Sequence, residues 1–354
     1  MTPTAPSRPH PLSFRFHGLV ISWPGGWTRH AGRNGSPATA RRGAPWCYNP
    51  GGISCKRLRR VPVRLATIEI KGEQRVAVLS PDGGTVRPLT SSAGAAATSM
   101  LAAIADWAGL RARIDSLLEA AVPVDSVKLL APIPRPRRNI FCVGKNYHEH
   151  AKEFARSGFD STAAEIVPEA PVVFSKPPSA VIATGEAILG WLDPTHSVDY
   201  EGELGVVIGT GGRGIAKADA LDHVFGYTVI NDVTARTLQQ KHRQWLIGKG
   251  IDTFCPMGPA ILTADEAADP TKLTLKTWVN GELRQDAVVS DLIFDIPTLI
   301  ETISSVIALE PGDVIATGTP VGVGIGFTPP KYLAAGDVVA IEISGVGRLE
   351  NPVA

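Results

Sequence analysis

The stretch Leu273-Thr-Leu-Lys-Thr-Trp-Val279-Asn280-Gly281-Glu282-Leu283 decides the fold class. A run suited to a buried strand ends at Val279, and Asn280-Gly281 follows. Asn-Gly is the pair most at ease with the positive φ angles of a tight hairpin turn. Working outward, runs of the same kind recur at 140–143, 172–175, 204–208, 224–230, 313–317 and 338–343. Turn residues separate them, as in Pro311-Gly312-Asp313 and Gly336-Asp337. In this part of the chain helices are expected at 147–156 and 296–308. The pattern is a β-rich α+β fold and not a regular alternation of strand and helix. The turn residues agree, since 36 Gly and 29 Pro exceed one residue in six of the 354.

Residues 63–130 read as a small α/β module. Strands are expected at 64–70 and 74–79 around Lys71-Gly72-Glu73, and helices at 99–107 and 110–121. The connector Ala131-Pro-Ile-Pro-Arg-Pro-Arg-Arg138 cannot be helical inside, because each proline removes a donor and restricts the residue before it. It marks the boundary of a main domain over 131–354. Residues 1–62 hold ten Lys+Arg, no acid and no sustained period. Three readings stay open for them: a spurious extension upstream of a start at Val63, a targeting peptide, or a disordered basic arm.

Composition narrows the function classes. At 44% hydrophobic and 19% charged the chain reads as an ordinary globular protein. No window approaches about 18 uninterrupted apolar residues, so no membrane span is expected. Beyond residue 62 there remain 25 Lys+Arg against 34 Asp+Glu, a formal −9, which makes a poor nucleic-acid binder. Cys47, Cys55, Cys142 and Cys255 form no C-x-x-C pair. Reduced thiols in a cytoplasmic protein are the expectation.

Four segments carry chemistry. In Asp199-Tyr-Glu201-Gly-Glu203-Leu204, the two glutamates stand i and i+2 at the head of a buried strand and so share a face. They repel unless a hard cation lies between them; a solvated strand edge is the alternative. Asp232 ends another apolar run, as a metal ligand or as the N-cap of a helix starting near Thr234. From the sequence alone the cap is the safer reading. Lys249, amid Gly and apolar residues, is either a buried ammonium able to offset oxyanion charge or a surface lysine in a loop. His150 and Glu153 stand i and i+3 on an expected helix, either as a carboxylate-held imidazole base or as a chance surface contact. The Gly-rich turn 315–324 lacks the G-K-[ST] of a phosphate loop and suits Thr319 presented to a ligand carboxylate.

Together these blocks resemble the fumarylacetoacetate hydrolase family over about 139–349. They are F-C-V-G-x-N-Y-x-x-H at 141–150, P-x-x-F-x-K-P at 171–177, Y-E-x-E-L at 200–204 and N-D-V-T-A-R at 231–236. G-K-x-x-D-T-F-C-P-x-G-P at 248–259 and P-G-D-V-I-x-T-G-T-P-x-G-V-G at 311–324 complete the set. Any one is weak; the ordered set is specific. The 248–259 block is similar to the domain-containing branch of the family and to 2-hydroxyhepta-2,4-diene-1,7-dioate isomerases.

The resemblance implies a mixed β-sandwich roll, usually a homodimer. It implies that Glu201, Glu203 and Asp232 bind Mg²⁺ or Mn²⁺ and that Lys249 is an active-site lysine. It places Thr319 at the substrate carboxylate, with Gln239 and Arg156 as further contacts. His150 and Glu153 match a hydrolytic dyad on a lid. The implied activity is C–C hydrolysis of a small 2,4-dioxo acid through a metal-stabilised enolate. The alternative is isomerisation, tautomerisation or decarboxylation of a 2-oxo acid at the same site. Neither isomerisation nor decarboxylation needs an activated water, so the dyad tilts the sequence reading towards hydrolysis.

Overall fold

The computed structural model describes residues 63–158, 167–267 and 269–354. The extension 1–62, with Cys47 and Cys55, lies outside the described residues, as do 159–166 in the expected lid. Among the described residues the strands form a twelve-stranded sheet, a four-stranded sheet and a two-stranded pair. The β-rich expectation therefore holds. No helix among them is long and apolar enough to cross a membrane.

The centre of the large sheet is Gly202–Ile208, which pairs antiparallel with Val224–Asn231 on one side and Val314–Ala316 on the other. Both Gly202–Ile208 and Val224–Asn231 are buried along their whole length, as strands covered on both faces must be. Val314–Ala316 runs parallel to Ile140–Gly144, so the sheet is mixed. On the other flank, Cys255–Thr263 joins Val224–Asn231 to Arg64–Ile70. The strands Arg64–Ile70, Glu73–Leu79 and Thr85–Pro88 thus continue the same sheet.

The four-stranded sheet contains the expected hairpin, Thr274–Val279 and Glu282–Val288, with Asn280 at φ 52° and Gly281 at φ 80° in its turn. Val338–Ile343 and Gly347–Pro352 complete it. Its apolar face (Leu275, Val339, Ile341, Ile343) shares one core with Leu204, Val206 and Ile208 of the large sheet. The helix Ile296–Val306, capped by Asp295, covers an edge of that core with Leu299, Ile300 and Ile303.

Two expectations need correction. The helix expected at 110–121 is a helix Trp107–Arg113 and a 3-10 turn Ile114–Leu117. Beyond it, Leu118 bridges to Leu89 and Val122–Pro123 pairs with Thr85–Pro88, so sheet pairing overrides helix propensity. The nine-residue strand Cys255–Thr263 is absent from the strands expected of the sequence. Its Pro256, Gly258 and Pro259 argue against a central strand by local rules.

Candidate metal centre and active site

The alternation read from the sequence builds the site. Gly202 faces the second sheet so closely that a Cβ there would lie 2.3 Å from Thr277 Oγ1. Glu201 and Glu203 therefore face the other way. Asp232 follows the antiparallel neighbour, with its N–H donating to the Glu201 carbonyl at 2.9 Å. One oxygen from each of Glu201, Glu203 and Asp232 lies within 4.8 Å of the others, and all three residues are buried. The N-cap alternative for Asp232 fails. The next helix, Arg236–His242, starts later, and Thr234–Ala235 is a short strand paired with Val198–Asp199.

Buried cations surround the triad. Lys249 Nζ donates to Glu201 Oε2 at 2.9 Å, Asp232 Oδ2 at 2.8 Å and Thr234 Oγ1 at 2.9 Å. Arg236 ties Asp199 to Glu201, with Nε 2.9 Å from Asp199 Oδ2. Lys176 Nζ sits 2.8 Å from Asp232 Oδ1, yet its geometry leaves that oxygen without a hydrogen bond. We read the contact as Coulombic attraction between desolvated charges, with one acceptor lone pair still available. Burial opposes ionisation of Glu201, but Lys249 and Arg236 outweigh it and hold its carboxyl down at about 2. Glu203 goes the other way. Burial, Asp232 and Glu201 push its carboxyl well above the ordinary range, despite the Gly318 N–H at 2.8 Å. Lys249 is desolvated by burial, yet Asp232 and Glu201 raise it and keep it an ammonium.

This donor set fits a hard divalent cation. The oxygens are all carboxylate, one is unsatisfied, and Glu203 carries repulsion that a cation between the three would relieve.

Glu201 and Glu203 of the triad open on a small, tight pocket. His150, Lys249, Gln239 and Thr319 line it with Glu201 and Glu203, and Phe154 and Trp245 form an apolar wall. His150 lies on the helix His148–Ser157, whose neighbours His148 and Glu149 are exposed while His150 is 4% exposed. Its Nδ1 is 3.0 Å from Glu153 Oε2. Glu153 in turn accepts the Gly322 N–H at 3.0 Å. Arg156 lines a neighbouring cleft with Glu149 and Ser157, so the structure does not bring it to the cavity wall.

Sequence reasoning does not pick out Lys176, Arg236 or Gln285. Gln285 Nε2 donates to Thr319 Oγ1 at 2.8 Å, and its Oε1 accepts the Gly202 N–H at 3.0 Å. With its oxygen thus engaged, the Thr319 hydroxyl is left to donate its own hydrogen. Lys176 and Arg236 stand inside the family-like blocks 171–177 and 231–236, and each is a cation within or beside an apolar run. That is the signal the sequence offers for them.

Comparisons with known proteins agree with this geometry. Residues 139–354 match the fumarylacetoacetate (FAA) hydrolase C-terminal family. The chain is 50% identical over 250 residues to oxaloacetate tautomerase YisK of Bacillus subtilis (strain 168), covering 71% of this chain and 80% of that protein. It is 43% identical over 230 residues to the mitochondrial oxaloacetate tautomerase fahd2 of Xenopus laevis, covering 64% of this chain and 69% of that one. The maleylpyruvate hydrolase of Sphingobium sp. SYK-6, solved with manganese(II) and pyruvate, superposes with a TM-score of 0.67 at 35% identity, over 82% of this chain and 98% of that one.

Proposed function

The chain belongs to the fumarylacetoacetate hydrolase family, and from that premise we propose that it interconverts the keto and enol forms of a small 2-oxo dicarboxylic acid of the oxaloacetate type. Glu201, Glu203 and Asp232 would hold Mg²⁺ or Mn²⁺. The observation that favours this reaction over hydrolysis is the likeness to an oxaloacetate tautomerase; the imidazole of His150, held by Glu153 on the same small pocket as Glu201 and Glu203, supplies a base that would serve either reaction. The 50% identity to an oxaloacetate tautomerase supports the substrate class.

A divalent cation, when bound, polarises the 2-oxo group and so acidifies the neighbouring C3–H. The chain's own residues do the rest. Glu153 engages His150 Nδ1 and leaves Nε2 to move the proton between C3 and the 2-oxo oxygen, off carbon in the enol direction and back onto carbon in the keto direction. Lys249, kept an ammonium by Glu201 and Asp232, offsets the charge that develops on the enolate oxygen. Thr319, oriented by Gln285, donates to the ligand carboxylate, and Gln239 adds a second polar contact from the wall. Arg156 could reach a ligand only if the helix His148–Ser157 shifts.

Hydrolysis of a 2,4-dioxo acid is the second reading, supported by the maleylpyruvate hydrolase likeness and the same dyad. There His150 would take its proton from water instead of C3. Decarboxylation would use the same enolate without either step. The family resemblance also supports a homodimer in the cytoplasm.

The deciding assay follows the ultraviolet absorbance of enol-oxaloacetate and of an acylpyruvate, with and without Mn²⁺, and quantifies pyruvate at the end. Cation-dependent enol decay faster than the buffer rate, with no pyruvate from the acylpyruvate, is expected. Stoichiometric pyruvate from the acylpyruvate would replace this reading by hydrolysis. His150→Gln is expected to slow the enol–keto step by about 10²- to 10⁴-fold, the usual worth of a positioned general base. An unchanged rate would remove His150 from the proton path.

The dyad depends on a glycine. A Cβ at Gly326 would fall 1.9 Å from Glu153 Oε1, the flexible end of that side chain. Gly326→Ala is therefore expected to push Glu153 off His150 and lower turnover about tenfold or more, with unfolding free energy within about 1 kcal/mol of wild type. Comparing turnover with a denaturation midpoint checks it, and a normal rate would show that Glu153 has room to move aside.

A further inference from the structure

We propose that Trp245 closes the outer end of the pocket and sets the length of the acid it takes, admitting four-carbon 2-oxo acids and excluding those with a longer alkyl or acyl tail. The proposal rests on the reading above that the 2-oxo end of the ligand is held at the triad.

Along 241–247 Trp245 is buried and every other residue is exposed. The ring therefore drops inwards from a surface segment. It is 7% exposed and lines the pocket together with His150, Phe154 and Glu201. The indole is thus the partition between the pocket and the surface that carries it. Leu246 and Ile247 beside it are also apolar, yet they stay 48% and 50% exposed. Hydrophobicity of the segment does not by itself account for the one buried ring; a place made for it does.

A glycine makes that place. A Cβ at Gly144, at the end of the strand Ile140–Gly144, would fall 2.4 Å from the ring of Trp245. The indole thus rests on bare backbone. Phe154 and Phe174 meet it edge-on, with centroids 6.2 and 5.1 Å away and planes at 74° and 66°. A ring held by three neighbours does not turn aside cheaply, because interiors are close-packed and overfilling them is costly. In a pocket this tight, a fixed ring in the wall limits the length of the ligand.

The wall shares a turn with the chemistry. The Trp245 carbonyl accepts the N–H of Gly248 at 3.0 Å and that of Lys249 at 2.9 Å. The turn that seats the indole also seats the ammonium bonded to Glu201 and Asp232. One helical turn therefore fixes the spacing between the partition and the triad. The further neighbours of the ring are apolar, since Val172 and Phe174 pack against the cluster of Phe154 and Trp245. Removing the indole would open a slot among them that suits an alkyl tail.

A core tryptophan that only steadies Phe154 and the helix His148–Ser157 predicts something different. Its loss would weaken short and long acids alike.

The test titrates the full chain, loaded with Mn²⁺, calorimetrically with 2-oxobutanoate and with 2-oxohexanoate, which differ only in tail length. Wild type is expected to bind the shorter acid about tenfold more tightly or better, the usual cost of overfilling a packed site. Trp245→Ala is expected to reverse the order, because each newly buried methylene is worth about fourfold in affinity. Trp245→Leu, a smaller cut that keeps an apolar side chain, should bring the two acids to within about threefold of one another. A denaturation midpoint for each variant checks that it is folded. Wild type that takes the longer acid as tightly as the shorter, or a ratio unchanged in both variants, would overturn the proposal. Wild type that binds neither acid would sink the reading of the triad, and this proposal with it. Neither titration follows turnover, so a failed tautomerase assay leaves the length preference readable by itself.

Discussion

Glu203→Gln is expected to raise the stability of the metal-free protein and at the same time to abolish its response to divalent cations. Glu203 is 1% exposed and faces Glu201 and Asp232, so burial and two like charges press its carboxyl well above the ordinary range. A raised carboxyl contributes stability that is fully present below its unfolded value and is lost as pH rises through its folded value. The metal-free protein should therefore weaken with rising pH across that window. Glutamine keeps the shape and still accepts the Gly318 N–H, but it has no proton to lose. The variant should lack the slope and melt a few degrees higher near neutral pH. Mn²⁺ should stabilise wild type by mass action and leave the variant unmoved. Turnover should fall by more than about 100-fold, since even residues behind metal ligands are worth that much. Melting curves with and without Mn²⁺, taken from acid to neutral pH, decide it. A metal-free variant less stable than wild type at neutral pH would mean that repulsion at the triad is already relieved by the surrounding cations.

Lys249→Met is expected to do the reverse, destabilising the metal-free protein by about 3 kcal/mol and sparing the metal-loaded protein part of that loss. The ammonium is 2% exposed and bonds to Glu201, Asp232 and Thr234. Methionine of similar length fills the space and leaves two desolvated carboxylates facing one another. Breaking a buried pair from one side is costly because the remaining charge has neither partner nor water. Arg236 and Lys176 still hold the outer oxygens of Glu201 and Asp232, which keeps the loss at the lower end of the usual range. A cation at the triad would supply part of the missing positive charge, so added Mn²⁺ should narrow the gap. Denaturant unfolding in both conditions measures it. A loss below about 1 kcal/mol, or the same loss with and without Mn²⁺, would place Lys249 outside the electrostatic balance of the triad.

The two variants test one idea from opposite sides. Four buried acids (Asp199, Glu201, Glu203 and Asp232) cluster with three buried cations that contact them directly (Lys176, Arg236 and Lys249), and Lys145 lines the same pocket. Glu203 is the acid that none of these three cations pairs with directly.

Much of this is legible in the sequence because its cause is local. Arg64–Ile70 and Val338–Ile343 form strands with the bounds their residues suggest, since a run of apolar side chains between turn residues has few other uses. Asn280-Gly281 places its hairpin because positive φ is a property of two residues. The strand period puts Glu201 and Glu203 on one face, and the Gly202 contact with Thr277 lies on the opposite one. The sequence alone thus singles out the carboxylates, Lys249, His150, Glu153 and Thr319, with their chemistry open.

The tertiary structure decided the rest. Cys255–Thr263 is a strand because two long strands pair with it from either side, which outweighs its prolines. Asp232 is a ligand candidate and not a cap because Thr234–Ala235 pairs with Val198–Asp199 and delays the helix. Lys176 reaches Asp232 across 56 positions, and Gln285 reaches Thr319 across 34. Periodicity tells a side chain which face to take. Which charge it meets there depends on where distant strands end, and inside a protein an unmet charge is too expensive to leave to chance.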